Sequence, residues 1–163
     1  MSDVMLLFAQ AVLTACLMGW MLSGVLDNWR HPLLNENAVA MVMRFELMEA
    51  DYPEDFAHVK HRKVENPKVI RAMFILLVLW ESVAALFLSV GTVSLVLALF
   101  GVAEVEMART LATLGALAFT ANWAGFLIGG NYFCYWYCHF PAQATHMMLA
   151  LWGTLVVILL QMG

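Results

Sequence analysis

Charged residues are scarce in this sequence of 163 residues, where Asp, Glu, Lys and Arg together make up only 12%. A soluble globular domain contains about 25% of such residues, so the composition excludes an ordinary soluble protein. The formal net charge of −4 at pH 7 argues against nucleic acid as a partner. The segment Met1–Leu7 contains no Lys or Arg. It therefore lacks the basic region of a signal peptide, and we expect the first apolar stretch to be retained.

Long apolar runs take the place of the missing charge. Hydrophobic residues make up 63% of the chain. They form four stretches over about residues 4–26, 69–100, 107–130 and 142–162. Each reaches the ~20 residues that a helix needs to cross the hydrocarbon core of a bilayer, and none alternates as a barrel strand does. The sequence predicts an all-α, polytopic integral membrane protein, a single domain over residues 1–163 with four transmembrane helices in a bundle and the lipid bilayer as partner.

The polar segment 27–68 lies between the first two stretches, and we expect it to be partly helical. Apolar residues within residues 37–50 are spaced for one face of a short helix. Asn35 or Asn37 is suited to cap its start. Pro53 excludes helical geometry from the residue before it and should end the helix. Pro67, after Asn66, is expected to mark the start of the second span.

Four crossings place segments 27–68 and 131–141 on one face of the membrane, here called the loop side. The termini and the turn near residues 101–106 lie on the opposite face, here called the terminal side. Seven of the eight basic residues lie on or beside the long loop, and only Arg109 lies on the terminal side. The positive-inside rule alone therefore predicts a cytoplasmic loop side.

Glu81 is the costliest residue to place in a bilayer. If the second span enters the hydrocarbon near Ala72, Glu81 lies ~14 Å deep at ~1.5 Å per residue. Asn122 in the third span and Trp152 in the fourth have similar depths, so we predict that both donate hydrogen bonds to Glu81. In the structural interpretation Glu81 is a protonated acid bonded across the helices. In the functional one it relays protons or binds a cationic substrate.

Gly125 and Gly129 form a GxxxG pair in the third span. Such pairs let two membrane helices approach closely, because neither glycine carries a side chain that would hold them apart. The pair predicts a packing contact with a neighbouring helix and no chemistry.

Sulfur and imidazole groups gather on the loop side. The candidate ligands are Cys134, Cys138, His139 and His146, with His31 in reserve. Thiolate and imidazole suit copper or zinc, and a pair of histidines such as His31 and His146 suits haem. Alternatively, Cys134 and Cys138 are small buried apolar groups, or form a disulfide if the loop side is oxidising.

Several short motifs are spread over the chain, among them Asp27-Asn28, Tyr52-Pro53, Trp80-Glu81-Ser82 and the segment 129–133 followed by Trp136. In these motifs and in its layout, almost the whole sequence resembles the predicted small integral membrane proteins of bacteria grouped as domain of unknown function 2165.

The resemblance implies a multi-pass protein of the bacterial inner (cytoplasmic) membrane with an acidic residue at the position of Glu81. Members generally lack Cys134, Cys138 and His146, so a metal site would be special to this chain. Typical members have basic N-termini and basic second loops, which implies a periplasmic loop side. This disagrees with the charge rule, and we lean to the family's arrangement.

Three functions remain open from the sequence. The leading hypothesis is a non-catalytic accessory or assembly subunit of a larger membrane complex, with other membrane subunits as partners. It is favoured because the loop is charge-dense and no nucleophile–base pair or inverted repeat is evident. The second is a metal- or haem-binding redox protein that uses Cys134, Cys138, His139 and His146. The third is a small transporter or proton path through Glu81.

Overall fold

Four long helices make up most of the computed structural model, which describes residues 3–162. They are α1 (Asp3–Arg30), α5 (Pro67–Leu99), α6 (Val105–Tyr132) and α8 (Phe140–Leu160). Each is long and apolar enough to cross a membrane, and residues 3–162 contain no strand. The predicted fold class, an all-helical polytopic membrane protein, is confirmed.

The helices extend beyond the apolar stretches, most clearly in α5. Its 33 residues span ~50 Å, well beyond the ~30 Å of a hydrocarbon core. The helix begins as predicted, with Pro67 in its first turn and the Asn66 side chain accepting a hydrogen bond from the Lys68 backbone N–H. The first turns of α5 therefore project on the loop side, where Ile70 packs against the loop segment.

Two glycines set the closest helix contact, between α5 and α6. A Cβ added at Gly91 would lie 2.5 Å from the Cα of Ala112, and one added at Gly115 would lie 2.6 Å from the backbone N of Leu88. Both distances are shorter than real Cβ contacts, so only glycine permits this approach.

The packing role predicted for Gly125 and Gly129 is wrong. A Cβ added at either position would meet nothing within 4 Å. A GxxxG pair draws helices together only where a neighbour faces it, and this face of α6 looks into open space.

Polar contacts join α1, α6 and α8 on the terminal side. Gln10 is fully buried, and its Nε2 donates to the carbonyls of Leu159, at 2.9 Å, and Met162, at 3.2 Å. Its Oε1 accepts from Nε of Arg109 at 3.1 Å. Both the nitrogen and the oxygen of this buried amide thus have hydrogen-bond partners within the protein.

The loop segment folds into a cap, defined here as residues 32–62. It comprises α2 (Pro32–Met43), α3 (Glu46–Asp51), α4 (Pro53–Val59) and a 3₁₀ turn (Lys60–Arg62). The prediction that Pro53 separates two segments is confirmed, because α3 ends at Asp51.

The predicted single helix over residues 37–50 is wrong. The helix starts earlier, at Pro32, whose fixed φ suits a first helical position. Asn35 and Asn37 therefore lie inside α2 and not at its cap. The chain then breaks at Phe45, which is buried and adopts a left-handed backbone conformation with φ 55°. The helix is interrupted at Phe45, and the ring of this residue is buried in the cap instead of continuing the helical face.

The cap is fastened to the bundle by packing and by polar contacts. Phe45, Met48 and Phe56, here called the cap cluster, pack against Phe133 and Tyr137 on the loop-side segment that follows α6. Ion pairs and hydrogen bonds add to this, namely Val64 N to Met43 O at 3.0 Å, Lys63 to Glu49 at 2.6 Å, Arg71 to Glu36 at 3.0 Å and Arg62 to Tyr132 O at 3.1 Å. The loop is an ordered layer and not a linker.

Substitution by alanine should change stability differently at a glycine of the α5–α6 contact and at a glycine that faces no neighbour. Gly115→Ala forces a Cβ into the α5 backbone and should lower the stability of the bundle by about 1–3 kcal/mol. Gly125→Ala, the matched control, meets no neighbour and should raise stability by up to about 1 kcal/mol, the cost of a glycine within a helix relative to alanine. Unfolding of the purified variants in detergent measures both. Equal stability of the two variants would contradict the packing described.

Candidate functional site

A cavity of about 540 Å³ lies on the loop side of the bundle. Residues of α1, α5, α6 and α8 form its walls, α2 of the cap lies over it, and Tyr135 of the short helix α7 (Tyr135–Cys138) contributes at one side. The volume falls within the ~300–1,000 Å³ typical of sites for small molecules.

Two contacts between α1 and α8 lie away from the loop side. Gln10 joins them near the terminal side, and Trp20 and Trp152 contact edge to face at 6.5 Å. Closer to the loop side, the wall positions Gly24, Gly125 and Gly129 have no side chain to fill the gap.

Glu81 is the buried acid of this cavity, with 7% of its surface exposed. Its Oε2 accepts a hydrogen bond of 2.7 Å from Nδ2 of Asn28, at the end of α1. The Oδ1 of Asn28 accepts in turn from Nδ2 of Asn35 on α2. Asn122 of α6 lies beside the same carboxylate and interacts with it, as predicted, although its buried Nδ2 does not meet the full geometry of a hydrogen bond.

Trp152 does not occupy the place predicted for it. It lies in an aromatic group with Trp20 and Phe119, and the donor to Glu81 is Asn28 instead. The physical reason is that α8 packs on α6, whereas Glu81 faces α1. The sequence carried a signal for Asn28, which is a polar residue at the end of an apolar span.

The depth expected for Glu81 also changes. Asn28 precedes the last residue of α1 by only two positions, so the carboxylate lies level with the polar end of that helix. The estimate of ~14 Å treated nearly all of α5 as membrane-embedded, although its first turns belong with the cap.

Two residues of the cavity wall, Trp123 and His146, each have a buried ring nitrogen, Nε1 and Nδ1, without a hydrogen-bond partner in residues 3–162. The His146 ring is stacked between aromatic neighbours, with Tyr135 at 5.8 Å and Trp123 at 5.4 Å between centroids. Almost none of the surface of either nitrogen is accessible, so these two atoms do not face the cavity.

The five predicted metal ligands are not brought together. Cys134 and Cys138 are free thiols that pack against the cap cluster. His139 and His146 stack on Tyr135, and His31 is exposed at the start of α2. No group of three or more His, Cys, Asp or Glu residues within the described chain is arranged to hold a metal ion.

Burial keeps two of these groups in their neutral forms. It raises the pKa of the Cys138 thiol, and the charge of Asp51 adds to the effect. It lowers the pKa of the His139 imidazole. The neutral thiol argues against ligation by Cys138, since the thiolate is the form of cysteine that binds metals, whereas a neutral imidazole is the form of histidine that does so.

Comparison with known proteins identifies the family. The family described as predicted small integral membrane protein (DUF2165) matches residues 6–163, so this chain belongs to it. Neither the curated proteins nor the solved structures contain a match.

Removal of the Asn28 donor should destabilise the bundle. Asn28→Ala leaves the buried Glu81 carboxyl without its hydrogen bond, at a cost of about 1–3 kcal/mol. In a Glu81→Leu background the same change should cost much less, since the two residues are coupled. Unfolding in detergent measures the cycle, with Asn37→Ala on the exposed face of α2 as control. Equal costs for Asn28→Ala in both backgrounds would disprove the coupling.

Proposed function

We propose that this protein of the DUF2165 family binds a small amphipathic molecule in its loop-side cavity. The observation that carries the proposal is the cavity itself, which combines apolar walls with a few polar groups. Glu81 offers a carboxyl group to an occupant, and Asn28 and Asn35 lie in the same wall. This combination of apolar area and few orienting polar atoms is typical of small-molecule sites.

The geometry favours an occupant that arrives from the bilayer. Trp20 on α1 and His146 on α8 both line the cavity, and the contacts of these helices through Trp20 and through Gln10 lie at Trp20 and nearer the terminal side. Toward the aqueous loop side, the cavity is covered by apolar residues of α2, including Val39 and Val42. An amphipathic molecule dissolved in lipid would therefore enter between α1 and α8.

The glycines of the wall support the same proposal. A glycine within a helix costs up to about 1 kcal/mol relative to alanine. Gly24, Gly125 and Gly129 give no close packing within the described structure. What they do provide is room, because each removes a side chain from the cavity.

A role as accessory subunit of a larger membrane complex is the second candidate, and the ordered cap is the observation that favours it. The cap is held in a fixed shape and exposes the adjacent side chains of Leu33 and Leu34, each 66% accessible. A rigid surface with exposed apolar groups suits docking to another membrane protein. As part of this proposal, the protein lies in the bacterial cytoplasmic membrane with its loop side in the periplasm. A transporter or proton path through Glu81 would need the cavity to open alternately, for which no observation argues.

Filling the cavity should abolish binding of an apolar probe. Diphenylhexatriene, a neutral aromatic rod, accepts energy from tryptophan, and Trp20 and Trp123 line the cavity. In lipid nanodiscs we expect saturable energy transfer for the wild type and at least tenfold weaker binding for Gly125→Leu.

Gly19→Leu is the matched control for this experiment. Gly19 has nothing within 4 Å of its added Cβ and does not line the cavity, so its variant should bind like the wild type. Unchanged binding by a folded Gly125→Leu variant would overturn the proposed function.

The accessory role is tested by photocrosslinking. A photoreactive amino acid at Leu34 of the cap should give one adduct of defined mass in native membranes. The same group at Leu155, an equally exposed position on α8 (65%), should react with lipid only. Absence of the Leu34 adduct, or the same adduct from both positions, would remove this candidate.

A further inference from the structure

We infer that the ligand of the cavity is an organic monocation, an ammonium group attached to an apolar body. This inference rests on the proposed function and specifies the chemical class of its ligand. It names Glu81 as the residue that selects for positive charge.

The charges of the cavity wall are the first reason to expect a cationic ligand. Asp27 and Glu81 both line it, Asp27 exposed at its edge and Glu81 buried. None of the described residues that line the cavity is Lys or Arg. A carboxyl that is buried without a counter-charge is protonated and neutral, and the Asn28 amide supplies a hydrogen bond but no charge. A cationic ligand would supply the counter-charge that lets Glu81 ionise and form an ion pair.

Three basic side chains of the loop side are engaged elsewhere. Arg71 pairs with Glu36 at 3.0 Å, and Lys63 pairs with Glu49 at 2.6 Å. Arg62 donates to the backbone carbonyl of Tyr132 and lies over its ring. The protein thus neutralises acids on the surface of the cap, whereas the acid in the cavity has only neutral partners.

The aromatic groups of the cavity are the second reason. Trp20, Trp123, Phe126 and Tyr135 all line it. The faces of aromatic rings attract cations, an effect that is larger where water is excluded.

Other ligand classes fit less well. An anion would be repelled by both carboxylates, and the described lining offers it no cationic side chain. A neutral amphiphile would use the apolar walls but leave Glu81 without a counter-charge. The site is therefore better matched to a cation than to a neutral molecule of the same shape.

A matched pair of probes tests the class. Diphenylhexatriene and its trimethylammonium derivative share one fluorophore and differ in a single positive charge. With the wild-type protein in nanodiscs of neutral lipid, energy transfer should show the cationic probe bound at least tenfold more tightly. Glu81→Gln should remove this preference, so that the cationic and the neutral probe bind with similar affinity. Glu65→Gln, which alters an exposed carboxylate outside the cavity, should retain it.

The outcomes distinguish the inference of a cationic ligand from the proposed function of the cavity. Equal or tighter binding of the neutral probe by the wild type would overturn the inference and leave the proposed function standing. A preference that survives Glu81→Gln would overturn the role of Glu81. Binding of neither probe, or binding that Gly125→Leu does not affect, would remove the proposed function as well. Should Glu81→Gln fail to fold, Trp123→Leu replaces it, and it should weaken the cationic probe more than the neutral one.

Discussion

The close backbone contact between α5 and α6 determines how the other two long helices pack in the bundle. Gly91 and Gly115 allow the two backbones to touch in the half of the membrane nearer the terminal side. Membrane helices gain little from the hydrophobic effect when they associate, so close packing of this kind is a principal source of their stability. With that pair fixed, α1 and α8 pack on its two sides. The gap between them toward the loop side becomes the cavity.

Most buried polar side chains of the bundle are paired within it. On the terminal side, Gln10 satisfies its amide through Leu159, Met162 and Arg109. Buried atoms without a hydrogen bond occur in both halves, at Thr92 of α5 and at Trp123 and His146 near the loop side. What distinguishes the loop side is the cavity, with Glu81 in its wall.

The sequence revealed the fold class because hydropathy reports directly on contact with lipid. It also located Pro53 and the Asn66-Pro67 start of α5, since the chemistry of these turns is local. It could not assign Gly125 and Gly129, because a glycine that faces a cavity and one that faces a helix look alike in sequence. Trp152 was misplaced for a related reason: depth along a span can be counted, but the direction in which a residue faces depends on how neighbouring helices are rotated.

The failure of the metal prediction has the same origin. Cys134 and Cys138 share a face only on a continuous helix, and Cys134 instead adopts a left-handed backbone conformation at the start of α7. The thiols then pack against the cap cluster, while the imidazoles stack on Tyr135. Four-residue spacing predicted proximity along the chain but not the direction of the side chains.

The cap and the cavity depend on one helix. Ala40 and Met43 of α2 pack with Ile70 of α5, while Val39 and Val42 of the same helix lie over the cavity. Asn35 extends the hydrogen-bond chain from α2 through Asn28 to Glu81. Because α2 is part of the cap, any partner that contacts the cap would also affect the helix that covers the ligand. Because linkage between two sites is reciprocal, a ligand that changes the position of α2 would change the affinity for that partner by the same factor. The two candidate functions are for this reason compatible, and α2 is the element through which they would be coupled.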